Sequence, residues 1–534
     1  MRKLAVAALV LVATALLRPG IVDATTEANV CEDSMADPCE LTKEITVDPD
    51  STLDFGNRAF VIKAPDGRLQ IPTGGRLSIT AGSMVVETGP GGRLRSAPGS
   101  RGDSSVKIRV TGTFATAKAA GVAAVAIDLP SPGDTDGAPC SLDIAADGDV
   151  TIGAEIRAQG TVNQNGGDVF ITTAGRMTVS DRILVDSPLA GGMVDLVATG
   201  PIEVTAGGEI DASDAYGEGN IAVTTDADLV NTGQLKTQAR LGGGDEDRFC
   251  YGGFMSLSAL GDIVVNGRIS GNGEFEGCTG STLNMLARGS ILVNAPIDLS
   301  GGPTGEGGFL LDVQAGRDFL QEAPILVSSG GQYGYGGEVD IFAGRRLLIG
   351  ALLDLSGGLQ IDPEGDRGRG GELVATAAHT LEIAGEVAAD GADFGSVTFN
   401  STREAPDELP GRILVTGQVH ARASADEDSS ADVSFEACDI EIAPSGRIEK
   451  AGPASRNLLR ASNTMKIAGA LVAGSGTNEL HHRDLAKPPL IAATALVSPA
   501  PIVTATPAEL PPCACTVDPN AAGVLCDDGN ACTT

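Results

Sequence analysis

From about residue 141 to 480, apolar and polar positions alternate in short bursts that return every 25 to 34 residues or so. Each burst opens on Gly-Gly or a similar small pair and continues with apolar residues at alternate positions. Examples are Val169/Ile171, Val194/Leu196, Ile221/Val223, Met255/Leu257, Leu283/Met285, Val339/Ile341, Val397/Phe399 and Val433/Phe435. Period-two alternation marks a strand with one buried and one wet face. A second short strand follows, as at Ile202 to Val204, Ile263 to Val265, Ile291 to Val293, Leu381 to Ile383, Ile413 to Val415 and Met465 to Ile467. Next comes a corner of steady form, such as Val265-Asn266-Gly267-Arg268-Ile269 and Val415-Thr416-Gly417-Gln418-Val419, with Gly or Ala in the middle. A tight bend tolerates little side chain there, and glycine takes φ > 0 at low cost. Three short strands, two corners and one variable loop therefore make a unit, whose Gly-rich opening falls near residues 166, 191, 219, 252, 280, 307, 336 and 370.

One such unit cannot bury its own apolar face. Stacking each on the last pairs every strand with its counterpart a repeat away and joins the inward Val, Ile and Leu into one column. The pattern predicts an all-β chain folded as a parallel β-helix, a solenoid with three short strands per coil. A dozen or more coils at ~4.8 Å per step give a rod of about 60 Å. A propeller needs ~40-residue blades of four strands, commonly with aromatic signatures. This chain of 534 residues has no Trp, 13 Phe and 4 Tyr beside 72 Gly, so its core is thin and aliphatic.

Coils of the form Gly-Gly-x-Val-x-Ile resemble those of secreted right-handed parallel β-helix proteins of bacteria, of the filamentous-haemagglutinin-like adhesin and surface type. The resemblance covers about residues 50 to 480. It implies a right-handed solenoid and an exported, non-catalytic surface or extracellular structural role.

The ends differ from the rod. Met1-Arg2-Lys3, the apolar run Leu4 to Leu17 and the small residues up to Ala24 have the layout of a signal peptide over 1–24. Fourteen apolar residues fall short of the ~20 that span a bilayer, and no second run of ~18 occurs, so no transmembrane span is expected in the mature chain. Export places the ten cysteines in an oxidising compartment, where they read as disulfide candidates. Residues 25–100 read as an N-terminal cap and first coils, pinned by Cys31 and Cys39, and 101–483 as the β-helix; Thr116 to Leu129 fits helix or strand. Prolines crowd 484–512, which predicts an extended linker, since proline removes a ladder donor. In 513–534, the stretch Cys526-Asp-Asp-Gly-Asn-Ala-Cys532-Thr533 resembles the opening of the CDDGN-x-CT Cys-rich repeats of myxobacterial and slime-mould surface proteins, here read as a truncated copy.

A net charge of −33 argues against nucleic acid and anionic membranes as partners. A cell-surface or matrix protein or a polysaccharide is expected instead. No catalytic residue, cofactor or metal site is assigned. The runs Asp245-Glu246-Asp247 and Asp426-Glu427-Asp428 read as solvated loops, Arg101-Gly102-Asp103 as a chance tripeptide, and His379, His420, His481 and His482 as exposed surface. Tyr216, Tyr251, Tyr333 and Tyr335 each fall just before a coil-opening glycine, which places them on one edge as a surface stripe or as loop packing. Cys250 and Cys278 each lie two residues before such a glycine, one repeat apart. Equivalent positions in adjacent coils stack ~4.8 Å apart, within reach of a disulfide. The alternative to the structural role is a carbohydrate-active β-helix enzyme, a polysaccharide lyase or pectinase-like hydrolase.

Overall fold

The computed structural model describes residues 25–510 and Cys513, apart from 97–103, 120–124, 131–139, 161–164, 240–249, 361–367, 402–410, 424–430 and a few isolated positions. Strand accounts for 53% of the chain and helix for 1%, as period-two patterning requires. The architecture is a parallel β-helix. On the first face the strand of each coil pairs in parallel with its counterpart a coil away, as Ser141–Ala146 with Asp168–Thr173, then Met193–Ala198, then Asn220–Thr225. Val150–Ile152 and Met177–Val179 belong to the second face, and Arg182–Leu184 and Glu209–Asp211 to the third. Among the described residues the third face holds seventeen strands, which at ~4.8 Å per step makes a rod of roughly 77 Å.

Registration puts like on like. Leu142, Val169, Val194, Ile221, Met255 and Leu283 occupy successive rungs of one inward column, and all are fully buried. Together with the inward residues of the other faces they form one apolar cluster running from Val30 to Leu480. Six phenylalanines lie inside it, among them two stacked pairs. Phe399 and Phe435 stack at 5.0 Å on adjacent rungs, and Phe55 and Phe60 at 4.2 Å.

The corner and opening glycines owe their place to close packing rather than to backbone sign. None of Gly192, Gly253, Gly267, Gly337 or Gly417 has positive φ. A Cβ on Gly192 would lie 2.0 Å from the Gly167 carbonyl oxygen one rung away, and one on Gly267 would lie 1.9 Å from that of Gly233. Backbone presses on backbone along the rod, so the small residue is required by the neighbouring coil.

At the amino end a four-residue helix, Glu27–Val30, lays Val30 over the first rung, and a Cys31–Cys39 disulfide with Cα atoms 5.3 Å apart ties it down. Coils begin at once, with Cys39–Leu41 paired to Ala59–Ile62. The Ala/Val-rich stretch contributes strands Phe114–Ala117 and Val125–Asp128.

The carboxyl end corrects the linker reading. Leu490–Ile491, Leu496–Ser498 and Ile502–Ala505 pair in parallel with the preceding coil on all three faces, so 490–505 is a further rung. Pro488, Pro489, Pro499, Pro501 and Pro507 lie outside these short strands, before, between and after them, where no ladder donor is needed. The chain then returns along the rod flank, with Leu510 buried and Cys513 joined to Cys438.

Alternation makes a direct prediction at Val339 and Asp340. The valine is buried and the aspartate exposed. Val339→Asp should cost about 3–5 kcal/mol by burying an unpaired carboxylate, while Asp340→Ser should change stability by less than about 0.5 kcal/mol. Chemical unfolding of both variants checks this, and equal midpoints would contradict the assigned faces.

Candidate functional site

The loop edge where each coil opens carries the residues singled out by the sequence. Cys250 and Cys278 face each other as a parallel bridge and form a disulfide, with Cα atoms 4.6 Å apart. Ala239 packs with both sulfurs' residues in a small buried cluster outside the main column. The bond therefore staples two rungs at the base of their loops. Tyr251 beside it is 62% exposed. The strand register places Tyr335 three rungs further on in the same row, with Thr279 and Glu306 between. Arg369, one rung beyond, lies with its guanidinium carbon 5.5 Å from the centre of the Tyr335 ring, a cation–π contact. Tyr335 and Tyr333 are half-buried, and Tyr216 lies outside the described residues. Tyr251 and Tyr335 thus share a row but are separated by about 14 Å. The acidic runs at 245–247 and 426–428, the Arg101-Gly102-Asp103 tripeptide, the signal segment and Cys515, Cys526 and Cys532 also lie outside the described residues.

Two titratable clusters were not apparent in the sequence. The first corrects the expectation that all four histidines are exposed. His420 lies in the strand Gln418–Arg422, stacked on Ala388 of one rung and facing Glu449 of the next. Its side chain is only 8% exposed. Nδ1 sits 2.9 Å from Asp390 Oδ1 and Nε2 2.8 Å from Glu386 Oε1. Asp390 also accepts a hydrogen bond from the Arg422 backbone N–H at 2.8 Å, and the Arg422 guanidinium approaches Glu449 at 3.8 Å. Burial acts to lower the imidazole pKa, but the hydrogen bonds to Asp390 and Glu386 and the Asp390 charge outweigh it, and the net shift is upward. His482 is buried as well, with Nδ1 2.9 Å from the Asp484 carbonyl oxygen, whereas His379 and His481 are half-buried.

The second cluster is Lys450, which stacks on core residue Ala421 and therefore points inward. Its side chain is fully buried, with Nζ 3.5 Å from Asp432 Oδ1. Desolvation drives its pKa down to about 8 despite the Asp432 charge. Beyond it Asn457 and Asn478 replace the aliphatic column residues, and the Asn457 side-chain amide donates to Asn478 Oδ1 at 2.8 Å. The signal for these was parity: Lys450 and Asn457 occupy positions that the alternation reserves for apolar side chains.

Outward side chains also link rungs by charge. Arg109 holds Asp143 through two 2.8 Å hydrogen bonds, Arg346 meets Glu382 and Arg412 meets Glu441 at 2.8 Å, and buried Glu155 is held between Arg157 and Arg182. Near the amino end an open groove is lined by Arg76 and Lys107 with the hydroxyls of Thr52, Ser78 and Ser105. Among the described residues no group of three or more His, Cys, Asp or Glu side chains is arranged to hold a metal ion, and no helix is long and apolar enough to cross a membrane. No protein-family model matches the chain, and no curated protein or solved structure matches it either.

Both clusters predict pH dependence. A raised folded pKa means that His420 contributes most below its unfolded value of ~6.5 and loses that contribution as pH rises through the folded value. His420→Gln should therefore cost about 1–2 kcal/mol at pH 5.5, Glu386 being partly solvated, and less at pH 9. Lys450 acts in the opposite sense. With its pKa lowered, the unfolded chain binds the proton more readily, so the lysine destabilises the fold at neutral pH. Lys450→Met should stabilise by about 1–3 kcal/mol at pH 7, and the gain should vanish above about pH 10.5, where the unfolded lysine is also neutral. Unfolding midpoints across pH read both effects.

Proposed function

We propose that this chain is an exported, non-catalytic rod of the cell surface or extracellular matrix, which projects loops and binds a surface or matrix protein or a polysaccharide. One observation carries the reading: nearly the whole described chain is spent on one unbroken stack of coils sharing a single apolar column. Such a stack fixes distance and direction along its axis, which is the property a spacer or display element uses. Three disulfides, Cys31–Cys39, Cys250–Cys278 and Cys438–Cys513, support an oxidising location. The signal-like segment at 1–24 supports export, and the acidic surface, net −33, favours solubility and disfavours nucleic acid. Cross-rung ion pairs and disulfides add lateral ties to the backbone ladder, as a rod exposed to the outside requires.

Two measurements test this. Antibody or membrane-impermeant biotin should label the protein on intact producing cells or in their matrix without permeabilisation. Incubation of pure protein with neutral and acidic polysaccharides should release neither reducing ends nor unsaturated products. Label found only after lysis would reject export, and turnover would establish the carbohydrate-active enzyme in its place.

A further inference from the structure

The first face of the rod is not uniform in charge. Three successive strands, Asn220–Thr225, Phe254–Ala259 and Thr282–Ala287, present outward side chains without a single charge. This is notable in a chain of net −33 whose residues are 20% charged. Carboxylates bound the window on both sides: Asp195 stacks directly on Ala222 at one end, and exposed Asp312 lies in the strand that follows Thr282–Ala287.

Inside the window large apolar groups stand in solvent. Phe254 is 39% and Leu286 48% exposed, and Phe309 follows Phe254 two rungs along the same row. Tyr251 stands at the near edge, three residues before Phe254. Between them the outward positions are small hydrogen-bonding side chains, chiefly Ser256, Ser258 and Asn284. Flat rings beside hydroxyls and amides, without charge, are the complement of a sugar ring, which has an apolar C–H face and a hydroxyl rim.

The size of the window narrows the occupant. A six-residue strand is about 20 Å long, and three to four rungs add roughly 15–19 Å, so the facet covers on the order of 300–400 Å². That is about half of the ~800 Å² per partner of a stable protein interface. A second copy would also bring its own −33 charge alongside, and an acidic polymer would meet Asp195 and Asp312 at the borders. Those carboxylates accept hydrogen bonds from neutral hydroxyls without penalty. We infer that this uncharged facet, centred on Phe254, Ser256 and Leu286, is a binding site for a neutral polysaccharide, in line with the display role proposed above, on which the inference rests.

Affinity electrophoresis of the full chain through gels containing dextran, laminarin, galactomannan or xyloglucan, with alginate and polygalacturonate as acidic counterparts, tests it. At least one neutral polymer should retard the protein, the acidic ones should not, and retardation should persist in high salt. Phe254→Ala and Ser256→Asp should each weaken binding by about tenfold or more, whereas Thr398→Asp, outward on the same face five rungs from the Phe254 strand, should not. Unchanged melting curves would show that the variants remain folded. Failure of every neutral polymer to bind, or full binding by Ser256→Asp, overturns the site. So does self-association that Ser256→Asp abolishes, which would assign the facet to a second copy. Binding accompanied by cleavage leaves the site standing and rejects the non-catalytic reading, so the two ideas fail separately.

Discussion

Everything in this molecule depends on one spacing, the ~4.8 Å between parallel strands of successive coils. Because each coil repeats the path of the last, the backbone N–H and C=O groups of one coil are satisfied by the next, and each apolar side chain lands on its equivalent. The same spacing forces glycine at Gly192 and Gly267, where a Cβ would stand about 2 Å from a carbonyl oxygen of the neighbouring rung. It also lets Cys250 and Cys278 meet without distorting the path of the chain, since equivalent positions already lie within disulfide reach.

Stacking like on like has a cost when the repeated residue is charged. Glu338 lies directly beside Glu372, and partial desolvation by its neighbours together with the Asp312 charge raises the Asp340 carboxyl pKa. Elsewhere opposite charges occupy neighbouring rungs, as with Arg346 and Glu382 or Arg412 and Glu441. These exposed pairs contribute little individually. Their effect is on register, because a slip of one residue would part these charges and turn the apolar column outward. The uncharged window around Phe254 escapes this constraint and is left free to meet something other than the next rung.

The last third of the rod departs from the aliphatic rule. His420 lies between carboxylates, Lys450 enters the core, and Asn457 and Asn478 form an amide pair in the column. Each of these four side chains has at least one polar partner on its own or an adjacent rung, as burial favours, while the Asn457 side-chain oxygen is left without one. The two strands Ala431–Ile442 and Arg456–Ile467 run unbroken from the first face into the second there, so the corner is a curved strand rather than a turn. Polar groups inside this segment restrict how its coils can slide, and the Cys438–Cys513 bond fixes the returning chain to the same region.

The solenoid was legible in the sequence because alternation and repeat length are local properties: Val194/Leu196 and Val339/Ile341 announce their inward faces within a few residues. The neighbours of Cys250 could be inferred for the same reason, since one repeat length converts sequence distance into a contact. What escaped depended on which outward or inward position a particular residue takes once several rungs are assembled. Nothing near His420 in the chain reveals that Glu386 and Asp390, about thirty residues earlier, close on both ring nitrogens. The prolines after residue 484 argued locally against pairing, yet the finished coil before them offers three strand edges, and short strands between the prolines take them up. Sequence by itself determined the period, the buried face and hence the rod. Tertiary structure alone decided the end of the stack, the fate of the buried polar groups and the uncharged facet, because each is set by contacts between coils that share no local pattern.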